Sequence, residues 1–225
     1  MSDKTIDQIK FLDVAKILAA PLARQNYLPA QNPKTTQLLI MVYWGTTNPS
    51  ARARETVEFQ NASTAFRDLQ QAVDPATKAA ADIAFTGALT ALHSQDRLRQ
   101  KIDGQNARLL GYDSWWEATA RYEGTTREFR RQDMLNELEE DRYFVVLMAY
   151  DFQLMWKQKK PKLLWETRFS VSERQHEFDR DLPDIAAYAA SYFGQDSHGL
   201  IRKPLREASV ELGELKNLGE ASAKK

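Results

Sequence analysis

The side chains able to do chemistry are few and scattered along the chain. There are three histidines, His93, His176 and His198. A metal site on a helix needs two imidazoles on one face, as His-Glu-x-x-His provides. None of the three has a second histidine within a turn, so each reads as a surface residue and not a ligand. Cysteine is absent, which excludes disulfides, thiolate nucleophiles, zinc ribbons and iron–sulfur clusters. His198 lies in Gln195-Asp196-Ser197-His198-Gly199, where an acid, a hydroxyl and an imidazole crowd one loop. Triads assemble from distant segments, so adjacency is weak evidence for one, and no Gly-x-Ser-x-Gly elbow accompanies it. The nine glycines form neither Gly-x-Gly-x-x-Gly nor a Walker loop, so nucleotides lack their usual cradle. Gly45-Thr46-Thr47 could offer backbone N–H groups to an anion, although a strand-ending turn explains it more simply. Glu137, Glu139, Glu140 and Asp141 form one acidic cluster, and Asp179, Asp181 and Asp184 another. Both lack the central glycine of a calcium loop and read as solvated helix ends. The chemistry available therefore predicts no cofactor and no metal, and assigns no catalytic residue.

Two features break local rules. Asp151 sits between Tyr150 and Phe152 inside an apolar, strand-like run, where an ionised carboxylate is costly unless paired. One reading pairs it with Arg168, or places it on a wet face with Gln153, Glu166 and Thr167. The other makes it a binding-site acid. Trp115 and Trp116 are adjacent on a helical stretch and point about 100° apart, so both indoles cannot bury against one neighbour. Either one ring is available to a partner, or it packs under a loop. Asp151, Trp115, Trp116 and His198 are the candidate binding residues.

The elements that would position them follow from periodicity. Residues 6–23 carry Phe11, Val14, Ala15, Leu18 and Leu22 at helical spacing, with a kink or break expected at Pro21 and a stop at Asn26. Gln37 to Trp44 is apolar at nearly every position, which suits a central strand covered on both faces. Ser50 to Asp141 is helical in pattern. Ala62, Ala65, Phe66, Leu69 and Val73 make one stripe, and Asp74-Pro75 then reads as an N-cap with proline at the first helical position. The next helix carries Ile83, Leu89, Leu92, Leu98 and Ile102 and is expected to stop at Asp103-Gly104. Shorter helices are expected at Ser114 to Arg121 and Arg127 to Glu140, with Thr125 or Thr126 as a cap for the second.

Arg142 to Val171 changes character. Two runs rich in β-branched and aromatic residues flank Lys157-Gln158-Lys159-Lys160-Pro161, the clearest hairpin signal in the chain. A turn centred on Lys159 and Lys160 places Asp151 opposite Arg168 and Gln153 opposite Glu166. Ser172-Glu173-Arg174-Gln175 fits a capping box for a helix bearing Phe178, Leu182, Ile185, Ala186, Ala189 and Phe193. Pro183 suggests that its first turns stand apart, and Gly194 ends it. A short strand is expected at Ser209 to Leu212, with a flexible tail over about 213–225.

Lys and Arg total 31 and Asp and Glu total 31, which removes the excess positive charge that nucleic acid or an anionic membrane surface would require. The first ten residues lack the apolar core of an export signal, and no window is long enough to span a membrane. The chain as it stands is thus expected to be neither exported nor membrane-spanning. It would also fit the mature part of a longer precursor.

The order of elements resembles uncharacterised bacterial envelope lipoprotein families. The likeness rests on a helix such as Phe11 to Tyr27 ending in an Asn-Tyr turn, an apolar strand such as Leu38 to Trp44, a hairpin whose second strand begins Leu164-Trp165, and a helix such as Asp181 to Gly194. It covers about half the chain and transfers no site residue. It implies a periplasmic or envelope location, a lipid anchor outside this sequence as the means of membrane association, and a role in binding or assembly; the cytoplasm is the alternative location.

These readings combine into one α+β domain over residues 1–225. It has a small mixed sheet, made of a central strand at 37–45 and a hairpin at 142–157 and 162–172, packed by helices, with a helical insertion at 50–141. The expected function is non-enzymatic binding of a protein or small molecule. The competing expectation is an enzyme with a dispersed site around Asp151 and His198, in a cleft between the sheet and the insertion.

Overall fold

The computed structural model describes residues 6–50, 55–112, 125–174, 176–195 and 200–203. The helix expected at Ser114 to Arg121, the strand expected at Ser209 to Leu212 and the tail over 213–225 lie outside them, as do Trp115, Trp116 and His198. The architecture is α+β, as the sequence predicts: six described α-helices and one three-stranded sheet. In chain order these are α1 (Phe11–Arg24), β1 (Leu38–Thr46), α2 (Val57–Gln71), α3 (Pro75–Leu110), α4 (Thr125–Leu138), β2 (Arg142–Asp151), α5 (Phe152–Gln158), β3 (Leu163–Ser172) and α6 (Phe178–Ala189).

The sheet is antiparallel throughout, in the order β1-β2-β3. The continuous apolar run at 38–44 is therefore an edge strand, and β2 is the centre. Both faces of β1 are apolar because the sheet has helices on both sides, but only one face is sealed. Ile40, Val42 and Trp44 pack on the main core, whereas Met41 and Tyr43 on the opposite face stay 37% and 46% exposed. The main core joins Tyr143, Val145 and Leu147 of β2 to Val14 and Leu18 of α1 and to Phe178, Leu182, Ile185 and Ala186 of α6. Fully burying an aliphatic or aromatic side chain of this kind contributes about 1.5–3 kcal/mol. A smaller cluster on the other face holds Ala107, Leu110 and Tyr112 against Met134 and Leu138 of α4, with Phe144 of β2 beneath.

The expected hairpin is corrected in two respects. Strand β2 ends at Asp151, and residues expected to continue it form the helix α5. The Asp151 carboxylate accepts from the Leu154 backbone N–H at 2.9 Å, which is an N-cap. Phe152 and Trp156, four residues apart, stack at 6.0 Å, and Lys159 closes the turn in the left-handed region (φ 57°). The register shifts accordingly. Arg168 faces Val146, and Asp151 faces Leu38 of β1, so the Asp151–Arg168 pair does not form.

Several helix boundaries follow the sequence and others depart from it. Asp74 caps α3, accepting from the N–H groups of Ala76 and Thr77, with Pro75 at the first position. Helix α3 passes through Asp103-Gly104 and ends at Gly111 (φ 80°). The break expected there is absent because Asp103 is buried, accepting from the Ser50 hydroxyl at 2.5 Å. Pro21 is accommodated inside α1, which continues to Arg24, and Asn26 turns the chain at φ 64°. Ser172 ends β3 instead of capping a helix: α6 starts at Phe178 after Glu177, whose N–H bonds the Asp181 carboxylate. Pro183 lies within a continuous α6, held by the one buried face of Phe178, Leu182, Ile185, Ala186 and Ala189. Gly194 (φ 73°) follows the turn after α6, where Tyr27 and Trp165 leave no room for a side chain.

A groove along the outer edge of β3

One edge of β3 pairs with β2, and the bonding pattern fixes what the other edge offers. The Glu173 N–H donates to Asp141 O at 2.8 Å, and the pairs Tyr143–Val171, Val145–Phe169 and Leu147–Thr167 continue that register. Hydrogen-bonded pairs alternate along an antiparallel ladder. The odd-numbered residues of β3 therefore bond inward to β2. Glu166, Arg168, Ser170 and Ser172 turn their N–H and C=O groups outward. The other side of β2 agrees, since the Thr47 N–H bonds Arg142 O and the even positions of β2 serve β1.

That outward edge is walled. A groove of about 680 Å³ follows residues 166–172. The end of α3 and α4 form one wall through Leu110, Tyr112 and Glu137, and α6 with its following turn forms the other through Ile185, Tyr188 and Tyr192. Residues 200–203 lie in the same groove.

Its electrostatics come from four cations set against two carboxylates, and both carboxylates are already engaged. Arg168 pairs with Glu166 and also donates to the Arg108 and Leu109 carbonyls at the end of α3. That places a cation on the negative end of the helix dipole. Glu137 accepts from the Tyr112 hydroxyl at 2.6 Å and from Arg202 Nε at 2.7 Å. Burial, reinforced by the bond to Glu137, pushes the Tyr112 phenol up to about 12. Two cations are less committed. Arg142 reaches over β3 to donate to the Ser170 hydroxyl at 3.3 Å, with Glu140 no nearer than 3.9 Å. Lys203 lies 5.4 Å above the Tyr192 ring and has no carboxylate partner among the described residues. His176, at the groove's end, contacts the Asp181 carboxylate at 2.9 Å. Burial alone would raise the Asp181 pKa, but bonds from Arg180, the Glu177 N–H and His176 together hold it below the ordinary carboxylate value.

Of the four candidate binding residues named from the sequence, only Asp151 is among the described residues. It caps α5 and does not line the groove. Arg142, Arg202, Lys203, Tyr112 and Tyr192 carried no sequence signal, because they come from four separate segments of the chain and only the packing gathers them. Among the described residues no group of three or more His, Asp or Glu side chains is placed to hold a metal ion, and no helix is long and apolar enough to cross a membrane. No protein family matches the chain, and no curated protein or solved structure matches it.

Proposed function

We propose that the protein is a non-enzymatic binding domain that takes an extended peptide segment of a partner along the outer edge of β3. One observation carries this reading: four consecutive outward-facing residues, Glu166, Arg168, Ser170 and Ser172, line the floor of a groove instead of an open flank. Exposed edges invite strand pairing and are usually blunted. Here residues 200–203 cross the groove between its walls, and a strand added beneath them would satisfy the outward N–H and C=O groups. The resemblance of the element order to envelope lipoproteins supports a location at the periplasm or envelope for this binding.

The test selects binders from a displayed library of random twelve-residue peptides and measures them by fluorescence anisotropy on the wild-type chain and on Ser170→Pro. Proline at an outward position removes one donor of the free edge and leaves the inner ladder intact. The binders should compete with one another and lose at least about tenfold in affinity on the variant, since the edge would lose a main-chain bond and gain a steric block. A library that yields only binders indifferent to Ser170→Pro overturns the reading.

A further inference from the structure

We propose that the free edge of β1 binds a second copy of the chain, joining two sheets into one six-stranded antiparallel sheet about a two-fold axis at Val42. The proposal does not rest on the β3 groove, which lies at the opposite edge of the sheet. Two bonds fix which groups β1 turns outward. The Thr47 N–H donates to Arg142 O and the Phe152 N–H to Gln37 O, both at 2.9 Å, and no bulge interrupts the β1–β2 register between them. Bonding pairs alternate along such a ladder. The odd-numbered residues therefore serve β2, and Leu38, Ile40, Val42, Trp44 and Thr46 point their N–H and C=O groups away from the sheet. Among the described residues nothing bonds to those groups.

An open edge is ordinarily blunted by a charge, a proline or a bulge. Strand β1 reads LLIMVYWGT and has none of the three. Its core-facing side chains are also incompletely covered. Ile40, Val42 and Trp44 are only half-buried, whereas Val145 and Leu147, which face Trp44 and Val42 from β2, are 2% and 0% exposed. Phe11 lies 6.3 Å from Trp44 and is 54% exposed.

The composition of the strand identifies its occupant. An uncharged edge offers nothing to a charged segment, whereas a copy of itself meets no like charge at any register. Antiparallel pairing centred on Val42 sets 38 opposite 46, 40 opposite 44, and 42 opposite its own counterpart. All five outward residues of each copy then take part, exchanging about ten main-chain bonds, as many as a typical interface carries. Moving the centre by one residue either way loses a pair. The same register places Met41 opposite Tyr43 of the second copy on the exposed face, a thioether against a ring, and Ile40 opposite Trp44 on the core face. A strip about 30 Å long and about 10 Å deep covers roughly 600 Å² in all, the size of a weak, reversible association.

Sedimentation velocity on the full-length chain, from about 1 to about 300 µM, tests this. The wild type should pass from monomer to dimer, half-associated at roughly tens of micromolar. Met41→Lys with Tyr43→Lys sets like charges opposite each other across the axis and should raise the dissociation constant at least about tenfold. Met41→Glu with Tyr43→Glu should do the same. Mixing the two variants should restore a mixed dimer to within about threefold of wild type, which misfolded variants could not do. Cysteine cross-linking reads the register, because the chain has no cysteine of its own. Met41→Cys mixed with Tyr43→Cys should give a disulfide-linked dimer. Each alone should link poorly, since its own counterpart stands a diagonal step away, beyond disulfide reach. A wild type that stays monomeric throughout overturns the proposal, as does a dimer that the two lysines leave unchanged. Equal linkage in the mixture and in the single variants overturns the Val42 axis and the proposal with it. Ser170→Pro should leave the dimer intact, and its loss there would place the contact at β3 and overturn the assignment to β1.

Discussion

At the scale of single residues, Tyr112 is the best probe of the groove's α4 wall. Its hydroxyl is buried and donates to Glu137, whose other oxygen is taken by Arg202. The folded protein holds the phenolic proton up to about pH 12, whereas an unfolded tyrosine releases it near pH 10. Between those values the folded state binds more protons than the unfolded state, so stability falls as pH rises. The contribution is complete below pH 10 and is lost across pH 10–12, amounting to about 2–3 kcal/mol at the upper end. Urea unfolding of wild type and Tyr112→Phe should show a steeper alkaline decline in wild type. The variant should lose only about 1 kcal/mol near neutrality, because Arg202 still pairs with Glu137. Parallel pH profiles would mean that the phenol is not the group responsible.

At the scale of elements, β3 makes the sharpest claim. The alternation of inward and outward bonding predicts unequal costs for one substitution at two nearby positions. Thr167→Pro removes an inward donor from the ladder with β2 and should cost about 3 kcal/mol or more. Ser170→Pro removes a donor that β2 does not use. It loses the hydroxyl bond from Arg142 and should cost about 1 kcal/mol. Urea midpoints of the two variants decide the matter, and a larger loss for Ser170→Pro than for Thr167→Pro would show that the bonding phase of β3 is inverted. The same reasoning explains why the hairpin extends differently from its apolar pattern. FQLMWKQ is apolar enough for a strand, yet Gln, Leu, Met and Lys are also strong helix formers. Asp151 decides between them locally by capping the Leu154 N–H. The residue that looked anomalous in a strand is the one that ends it.

At the scale of the whole molecule, α2 and α3 form an arm that is anchored at one end. Helix α3 has 36 residues and is about 54 Å long, and its buried residues are confined to Asp103, Asn106, Ala107 and Leu110 near its end. Ala62 is the only buried residue of α2. Along the rest of the arm the Phe66–Phe85 ring pair is the main aromatic contact, and Val73 and Ile83 are 95% and 73% exposed. The anchor is polar: Asp103 accepts from Ser50, and Asn106 donates to Asn48 O at 2.9 Å and to Leu138 O. Low burial implies low local stability. Hydrogen exchange should therefore release the amides of residues 60–100 well before those of β2, with opening free energies lower by at least about 2 kcal/mol. Exchange of the arm and sheet as one unit would show that the arm is held by contacts the described residues do not supply.

The sequence by itself determined the elements wherever a local rule was enough. It placed the α+β class, the apolar faces of α1 and α6, the Asp74-Pro75 start of α3 and the two strands around 142–171, because periodicity and caps are written within a few residues of where they act. The candidate groove was illegible for the opposite reason. Arg142 and Ser170 are 28 positions apart and Glu137 and Arg202 are 65 apart, and each looks ordinary in its own segment. Tertiary structure alone decided which strand is central, because pairing depends on how the chain returns across the long 50–141 excursion and not on how apolar a run is. Tertiary structure also set the register. The seven-residue helix that Asp151 caps shifts every partner of β3, and that shift puts Arg168 on the end of α3 and leaves four residues of the edge facing a walled channel.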